Sequence, residues 1–293
     1  MTLRHFKIFI AVCDTMNMTF AAKKLFMSQS AVSQAIAELE NHYDARLFER
    51  LSKKLYLTLA GQKLLSYARQ IIWMNKEVEN DMRNLQKNGS IRIGASVTVG
   101  AHVLPKLVSH FKQISQQTNI EVFEDNTEKI ENLILHDQID IGLVEGETTS
   151  KDMMNRVFMD DELVIICSPD HRFADLPTIE PYELEQEKFI IREKGSGTRK
   201  TFEDMMTAKR LAWEAIWICN NADTIKMAVA EGLGISAISR LSIKNEVALK
   251  LLCQTSVKGL PFRRQFKIIY HKNKYLTGSM KQFIDLCMRI EKK

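Results

Sequence analysis

The chain has 293 residues, of which 45% are hydrophobic and 26% charged, with a formal net charge of +5. That length supports two or three compact units with sizeable cores, and the composition excludes a disordered or collagen-like chain. No apolar run approaches the ~18 residues of a membrane span, and Cys13, Cys167, Cys219, Cys253 and Cys287 lie scattered without CxxC spacing, which reads as reduced thiols rather than a disulfide framework or zinc site.

In chain order, the spacing predicts a first helix over about Thr2–Met16, with Leu3, Phe6, Phe9, Ile10 and Val12 or Cys13 turned to a small core. Its apolar stretch Ile8–Cys13 ends at Asp14 and is shorter than the ~7 to 15 residues of a secretory signal core, so a cytoplasmic protein is expected. The stretch from Met18 to Asn41, MTFAAKKLFMSQSAVSQAIAELEN, then reads as two short helices broken by a turn. Thr19 is expected to cap the first, with Ala22 and Leu25 apolar; Ser28 caps the second, whose Val32, Ile36 and Leu39 are spaced i, i+4, i+7. Such a pair is a helix-turn-helix.

Near the start of the second helix, off its apolar stripe, stand Gln29, Ser30, Ser33 and Gln34. An amide pairs bidentately with adenine and a hydroxyl donates or accepts, so this face suits the base edges of double-stranded DNA. Thr19, Phe20 and Ser28 at the two helix starts complete the expected DNA-facing set. On these residues alone, a helical hairpin with a solvated polar face is the alternative. RLFER, Arg46–Arg50, would seat Leu47 and Phe48 in the small core, and the segment from Arg50 to Leu59 reads as a β-wing. Arg50, Lys53 and Lys54 on it would meet phosphates, giving affinity and position but little sequence information.

From Thr58, an expected N-cap, a pattern free of glycine and proline predicts a helix over Gln62 to about Lys87. Leu64, Ile71, Val78 and Leu85 recur every seven residues, interleaved with Ala68, Asn75 and Met82. A heptad seam on so long a helix predicts a homodimer, with Asn75 fixing its register. Two heads would then face the two half-sites of a dyad-symmetric operator.

Asn88, Gly89 and Ser90 break the helix, and strands and helices then alternate. Strands are expected at Ile91–Ala95, Ile120–Glu124, Ile139–Val144, Glu162–Cys167, Phe189–Arg192, Ile216–Cys219, Ile235–Ser239 and Phe266–Tyr270. Helices are expected at Val99–Ser115, Glu128–His136, after Thr198, at Ala222–Glu231 and after Leu276. This βα winding predicts parallel sheet in two α/β lobes, 90–160 plus 265–293 and 161–264, joined by crossing segments near Val157–Asp161 and Leu260–Arg264. Ligands bind such sheets at the carboxyl ends of the strands, beside helix N-termini. The turns there carry Ser96 and Thr98, Thr127, Ser196 and Thr198 in EKGSGTRK, and Asn221 to Thr224. Their convergence on one cleft would suit a small anionic metabolite; the alternative is that each merely caps its helix. Catalytic residues and a cofactor are not expected: Gly195-Ser196-Gly197 is not a nucleophile elbow, Gly232-Leu233-Gly234 lacks the third glycine of a dinucleotide loop, and no P-loop is present.

Leu3–Gly61 resembles the N-terminal domain of LysR-type transcriptional regulators. The resemblance rests on Phe6, Phe9 and Val12, followed in order by FAAxxLxxSQSAVSxxIxxLE, LFER and LTxAG. Ser30 stands where proline is frequent in that family and Gln34 where arginine is frequent, which bears on base preference. IRIGASVTVGAHVLPKLVSHF and ADTIKMAVAEGLGISAIS are similar to the family's effector domain, so the resemblance covers nearly the whole chain. It implies an α/β architecture with an N-terminal winged helix-turn-helix over 1–60, a dimerising linker helix over 58–88 and a two-lobed, type 2 periplasmic-binding-protein-like effector domain over 90–293. It further implies dimers that pair into homotetramers, and RNA polymerase as a partner. Ser96, Thr98, Thr127, Glu145, Ser196, Gly197 and Thr198 stand where the family contacts its inducer. Glu145 is expected to accept a hydroxyl or amine of the ligand, or to pair with Arg192 or Arg199. A solute-binding receptor is the alternative for residues 90–293 taken alone.

Overall fold

The computed structural model describes residues 1–51, 54–83 and 89–289. By contacts the chain divides into one unit carrying Met1–Gly89 and a second carrying most of the remainder.

The first unit is α1 (Leu3–Thr15), α2 (Met18–Lys24), α3 (Gln29–Tyr43), an antiparallel hairpin of β1 (Phe48–Leu51) and β2 (Lys54–Leu57), and α4 (Leu59–Arg83). Phe6, Phe9, Val12, Ala21, Ala22, Val32, Ile36, Leu39 and Leu47 form its core, and Leu64 and Ala68 from the start of α4 close it. Ser28 Oγ accepts from Ala31 N at 3.1 Å and so caps α3. The cap of α2 is Asn17, not Thr19: Asn17 has extended backbone (φ −154°, ψ 118°) and its Oδ1 accepts from Thr19 N and Phe20 N at 2.9 and 3.1 Å. An amide two residues earlier than the expected hydroxyl takes the orphan N–H groups, and Thr19 falls inside the helix.

The second unit opens with β3 (Ser90–Ser96), α5 (Val97–His102), α6 (Leu104–Ile114), β4 (Asn119–Asp125), α7 (Thr127–Leu135) and β5 (Ile141–Glu145). Then follow β6 (Met153–Cys167), β7 (Thr178–Ile179), β8 (Lys188–Arg192), α8 (Gly197–Ala208), β9 (Glu214–Cys219), α9 (Ala222–Ala230), β10 (Ser236–Ser239), α10 (Lys244–Ala248), β11 (Cys253–Val257), β12 (Phe262–His271) and α11 (Gly278–Cys287). β4, β3 and β5 are parallel neighbours, joined through the intervening helices as parallel strands require. β12 runs antiparallel to both β5 and β6, so the sheet is mixed rather than purely parallel. The reason is that both expected crossing segments are themselves strand: β6 is continuous over 15 residues and β12 over 10. Their ladder passes from one lobe to the other, interrupted where Phe266 faces Met159 but Lys267 faces Val157. The extra residue, Phe158, makes a bulge at the crossing.

Beyond it, Leu163, Ile165 and Cys167 face one core and Val164 and Ile166 face another. This double burial is why the stretch reads as a continuous apolar run. The single helix expected over Val99–Ser115 is two, α5 and α6. The chain turns at Val103, where Pro105 brings no N–H to continue the ladder.

Candidate functional site

The exposed beginning of α3 presents Gln29, Ser30 and Gln34, with Ser33 partly buried among them. Their settings differ. Ser30 Oγ lies 3.0 Å from the capping Ser28 Oγ, while Gln34 Nε2 donates to Glu38 Oε1 at 3.0 Å, and Glu38 in turn meets His5 Nε2 at 2.7 Å. The His5 and Gln34 contacts hold the Glu38 carboxyl below the usual carboxylate range. Thr19 and Phe20 are exposed on α2, and Lys23 Nζ stands 5.9 Å over the Phe20 ring. Arg50 and Lys54 are exposed on the hairpin; Lys53 lies outside the described residues. Glu40 fixes the hairpin to α3, its Oε1 accepting from Leu47 N at 2.8 Å and Phe48 N at 3.3 Å. Sequence reasoning passed over Phe26, in the turn between the two helices with φ 54° and 98% exposed; an aromatic side chain inside the LFMS turn was the available signal.

Along α4 the heptad expectation divides. Leu64 is spent on its own unit's core beside Ala68, because the residues that face the core at a period of 3.6 coincide with the heptad positions over the first turns. Ile71, Met74, Val78 and Met82 are exposed on one face. Asn75 Nδ2 donates to Glu79 Oε1 at 2.7 Å, one turn further on in the same helix. Leu85 lies outside the described residues.

In the second unit the seven candidate residues Ser96, Thr98, Thr127, Glu145, Ser196, Gly197 and Thr198 are all buried. Ser96 ends β3, Glu145 ends β5, Thr127 opens α7, and Ser196 precedes α8, so strand carboxyl ends and helix starts meet here. Ser96 Oγ and Thr98 Oγ1 donate to the Glu145 carboxylate, and Thr127 Oγ1 donates to its backbone carbonyl at 3.2 Å. Thr198 joins through Arg264, whose Nη1 donates to Thr198 Oγ1 at 2.8 Å and stands 3.8 Å from Glu145 Oε1. Arg264 Nε donates to Asp161 Oδ2 at 2.7 Å, and Ser239 Oγ donates to Asp161 Oδ1 at 2.7 Å.

The charged partner of Glu145 is therefore Arg264. Arg192 pairs with Glu193 at 2.8 Å and Arg199 with Glu203 at 2.7 Å, so neither is the expected partner. Burial pushes the Glu145 carboxyl up from the ordinary range, while Arg264 and then Arg192 pull it back. Sequence reasoning missed Arg264 and Asp161. The signal available was two charged residues set within the apolar crossing segments, which the β6–β12 register places directly opposite each other.

Two turns close the lobes on each other. Asn126 Nδ2 donates to Glu193 Oε1 at 3.2 Å, and Glu128 N donates to Gly195 O at 3.1 Å, where Gly195 has φ 87°. Beside them a cavity of about 260 Å³ is lined by Thr127, Glu128, Thr149, Lys194, Ser196 and Arg199, among others. Among the described residues, Ser196 Oγ and Arg264 Nη2 are buried without a hydrogen-bond partner. Asn221, by contrast, caps α9 through Thr224 N at 2.8 Å.

Other chemistry finds little support. Burial pushes the Cys13 and Cys167 thiols up to about 12, leaving them poor nucleophiles. Among the described residues no His, Cys, Asp and Glu cluster has metal-binding geometry, and no helix is long and apolar enough to cross a membrane.

Comparison with known proteins bears on both regions. The family description "bacterial regulatory helix-turn-helix protein, lysR family" matches residues 3–62, and "LysR substrate binding domain" matches residues 85–290. The uncharacterized HTH-type transcriptional regulator YeiE of Escherichia coli is 32% identical over 287 residues, 98% of this chain and 97% of that one. The Synechocystis CcmR regulatory domain in complex with 2-PG superposes with a TM-score of 0.66 at 26% identity, covering 70% of this chain and 99% of that one. A full-length OxyR variant from Pseudomonas aeruginosa shares the fold with a TM-score of 0.70 at 17% identity, covering 99% and 95%. The chain belongs to the LysR-type transcriptional regulators, DNA-binding proteins that join a helix-turn-helix to an effector-binding domain.

Proposed function

We propose that this chain is a cytoplasmic homodimer that binds a dyad-symmetric operator and alters transcription when a small metabolite, anionic in the expected case, acts at the cleft between its two lobes. The observation that carries the reading is the presence, in one chain, of an exposed amide-and-hydroxyl face on α3 and a buried cleft where hydroxyls from both lobes converge on one ion-pair network. The relative CcmR, whose regulatory domain is described in complex with 2-PG, supports a small effector. No catalytic group and no cofactor enters this function.

Self-association is supported by the exposed Ile71, Met74, Val78 and Met82 stripe, which a second copy of α4 would cover. The exposed apolar residues Val122 and Phe123 on β4, and Ile216, Trp217 and Ile218 on β9, offer further surface for dimers to pair into tetramers. RNA polymerase is the partner through which a promoter-bound oligomer would act. Coupling between effector and DNA of about 1–3 kcal/mol suffices for a ~5 to 150-fold change in affinity.

The test is selection of random and genomic DNA fragments by the purified chain across a salt series, followed by sequencing. A recovered dyad-symmetric site supports the reading. Retention that is salt-sensitive and indifferent to sequence, with or without added cell metabolites, sinks it.

A further inference from the structure

Glu145 ends β5 with its side chain inside the cleft and 1% exposed. The donors around it are the groups expected to hold a ligand. Ser96 Oγ and Thr98 Oγ1 donate to its carboxylate oxygens, and Arg264 Nη1 stands 3.8 Å away. Arg264 is itself anchored at 2.7 Å by Asp161 and at 2.8 Å by Thr198, so one polar chain runs from β5 in the first lobe to α8 in the second. A carboxylate ringed by hydroxyls and a guanidinium is how proteins commonly hold a bound carboxylate or phosphate. Here that carboxylate is part of the polypeptide.

Two more observations bear on this. Gly197 opens α8 directly against Glu145: a Cβ added at Gly197 would lie 2.2 Å from the Glu145 carbonyl oxygen and 2.6 Å from its Cγ. The second lobe is thus fitted around this side chain. Two buried polar atoms of the same neighbourhood, Ser196 Oγ and Arg264 Nη2, make no hydrogen bond, so the site has more hydrogen-bonding capacity than Glu145 uses.

We propose that Glu145 is a tethered occupant of the inter-lobe cleft, its carboxylate taking the hydroxyl and guanidinium donors that an anionic effector needs, so that such an effector binds only by displacing it. The inference rests on the cleft being the effector site. A side chain already in place competes at an effective concentration at or above the roughly millimolar level of a flexible tether. Glu145 therefore sets a concentration threshold below which small anions leave the lobes as they are. It also acts as a specificity filter, since an anion must offer contacts beyond its charge to win.

The test uses the full-length Glu145→Ala chain, with acetate as the probe because acetate carries the carboxylate that the substitution removes. Thermal unfolding is followed in acetate and in chloride at equal ionic strength. The variant should melt about 5 °C or more below wild type, having lost a buried side chain and the partner of Arg264. Acetate, and not chloride, should restore at least half of that loss saturably. Wild type and Glu145→Gln, in which the space stays filled, should not respond.

Equal stabilisation of all three chains by acetate overturns the proposal, as does no response from any of them. If the alanine variant folds only when acetate is present, the proposal gains; if it folds in neither salt while Glu145→Gln folds, the proposal fails. Operator selection by wild type is scored in parallel. Its absence sinks the regulator reading and leaves the acetate result standing, whereas a missing acetate response beside intact operator selection sinks the tethered occupant alone.

Discussion

Gly197 and Glu145 meet backbone to backbone across the cleft, closely enough that a Cβ on the glycine would lie 2.2 Å from the Glu145 carbonyl oxygen. The obstacle is main chain at the end of a central strand, which no rotamer change relieves. Gly197→Ala should therefore displace α8 from β5 and cost about 1–3 kcal/mol, the usual range for overpacking. Gly278, the first residue of α11, has nothing within 4 Å of an added Cβ. Gly278→Ala should stay within about 0.5 kcal/mol of wild type. Urea unfolding of the two variants checks the contrast, and equal effects would mean that the lobes are not held as closely as this contact requires.

The pH dependence of stability follows from Glu145. Its carboxyl is pushed up by burial, against the pull of Arg264 and Arg192, with Asp161 adding a like charge nearby. A carboxyl whose folded value exceeds its unfolded value contributes stability that is fully present below the unfolded value and is lost as pH rises through the folded one. Melting of wild type and Glu145→Gln should therefore be compared from pH 7.5 downward, toward the ordinary glutamate value of about 4.3. The wild-type melting temperature should gain on that of the variant as pH falls. A difference that is flat, or that moves the other way, would mean that Arg264 outweighs burial.

How much of this was legible in the sequence varies with the range of the interactions. The α1–α3 core was legible because Phe6, Phe9, Val32, Ile36 and Leu39 repeat at helical spacing within a few turns. The cap of α2 is ambiguous in the sequence because Asn17 and Thr19 both have capping side chains, and only backbone geometry separates them. Leu64 fits a dimer seam and its own unit's core equally well in the sequence, because heptad and 3.6-residue patterns coincide over two turns. β6 and β12 look shorter in the sequence than they are, because Asp160 and Asp161, and Arg263 and Arg264, interrupt their apolar alternation. The same charges supply the cleft: Asp161 and Arg264 are 103 residues apart and opposed only by sheet register. The candidate hydroxyls could be found from their places after strands, but that Glu145 would occupy the middle of them is a property of tertiary packing.

Asn17 should carry the start of α2. Asn17→Ala leaves Thr19 N and Phe20 N without their acceptor and should cost about 1 kcal/mol, within the 0.5–2 kcal/mol range for lost caps. Thr19→Ala, at an exposed position inside the helix, should change stability by less than about 0.5 kcal/mol. Chemical unfolding of the first unit's transition distinguishes the two residues, and a larger loss at Thr19 would return the cap to it.

The two amides on α3 are not equivalent, and base selection should reveal it. Bidentate pairing with adenine uses the amide both as donor and as acceptor. Gln34 already commits one of its two Nε2 hydrogens to Glu38, which His5 holds in place, so its amide must read a base from that fixed orientation or give up the contact. Gln29 is exposed one residue after the cap. Gln29→Ala should accordingly relax preference at one position per half-site by about 1–3 kcal/mol, and Gln34→Ala by less. Lys54→Ala, exposed on the hairpin, should weaken binding to all sequences alike and reduce the salt slope by about one. Selection and sequencing of bound fragments with each variant, repeated across a salt series, reads all three effects. If Lys54→Ala changes which sequence is preferred, or if Gln34→Ala relaxes selection more than Gln29→Ala, the division between base reading by α3 and phosphate contact by the hairpin is misdrawn.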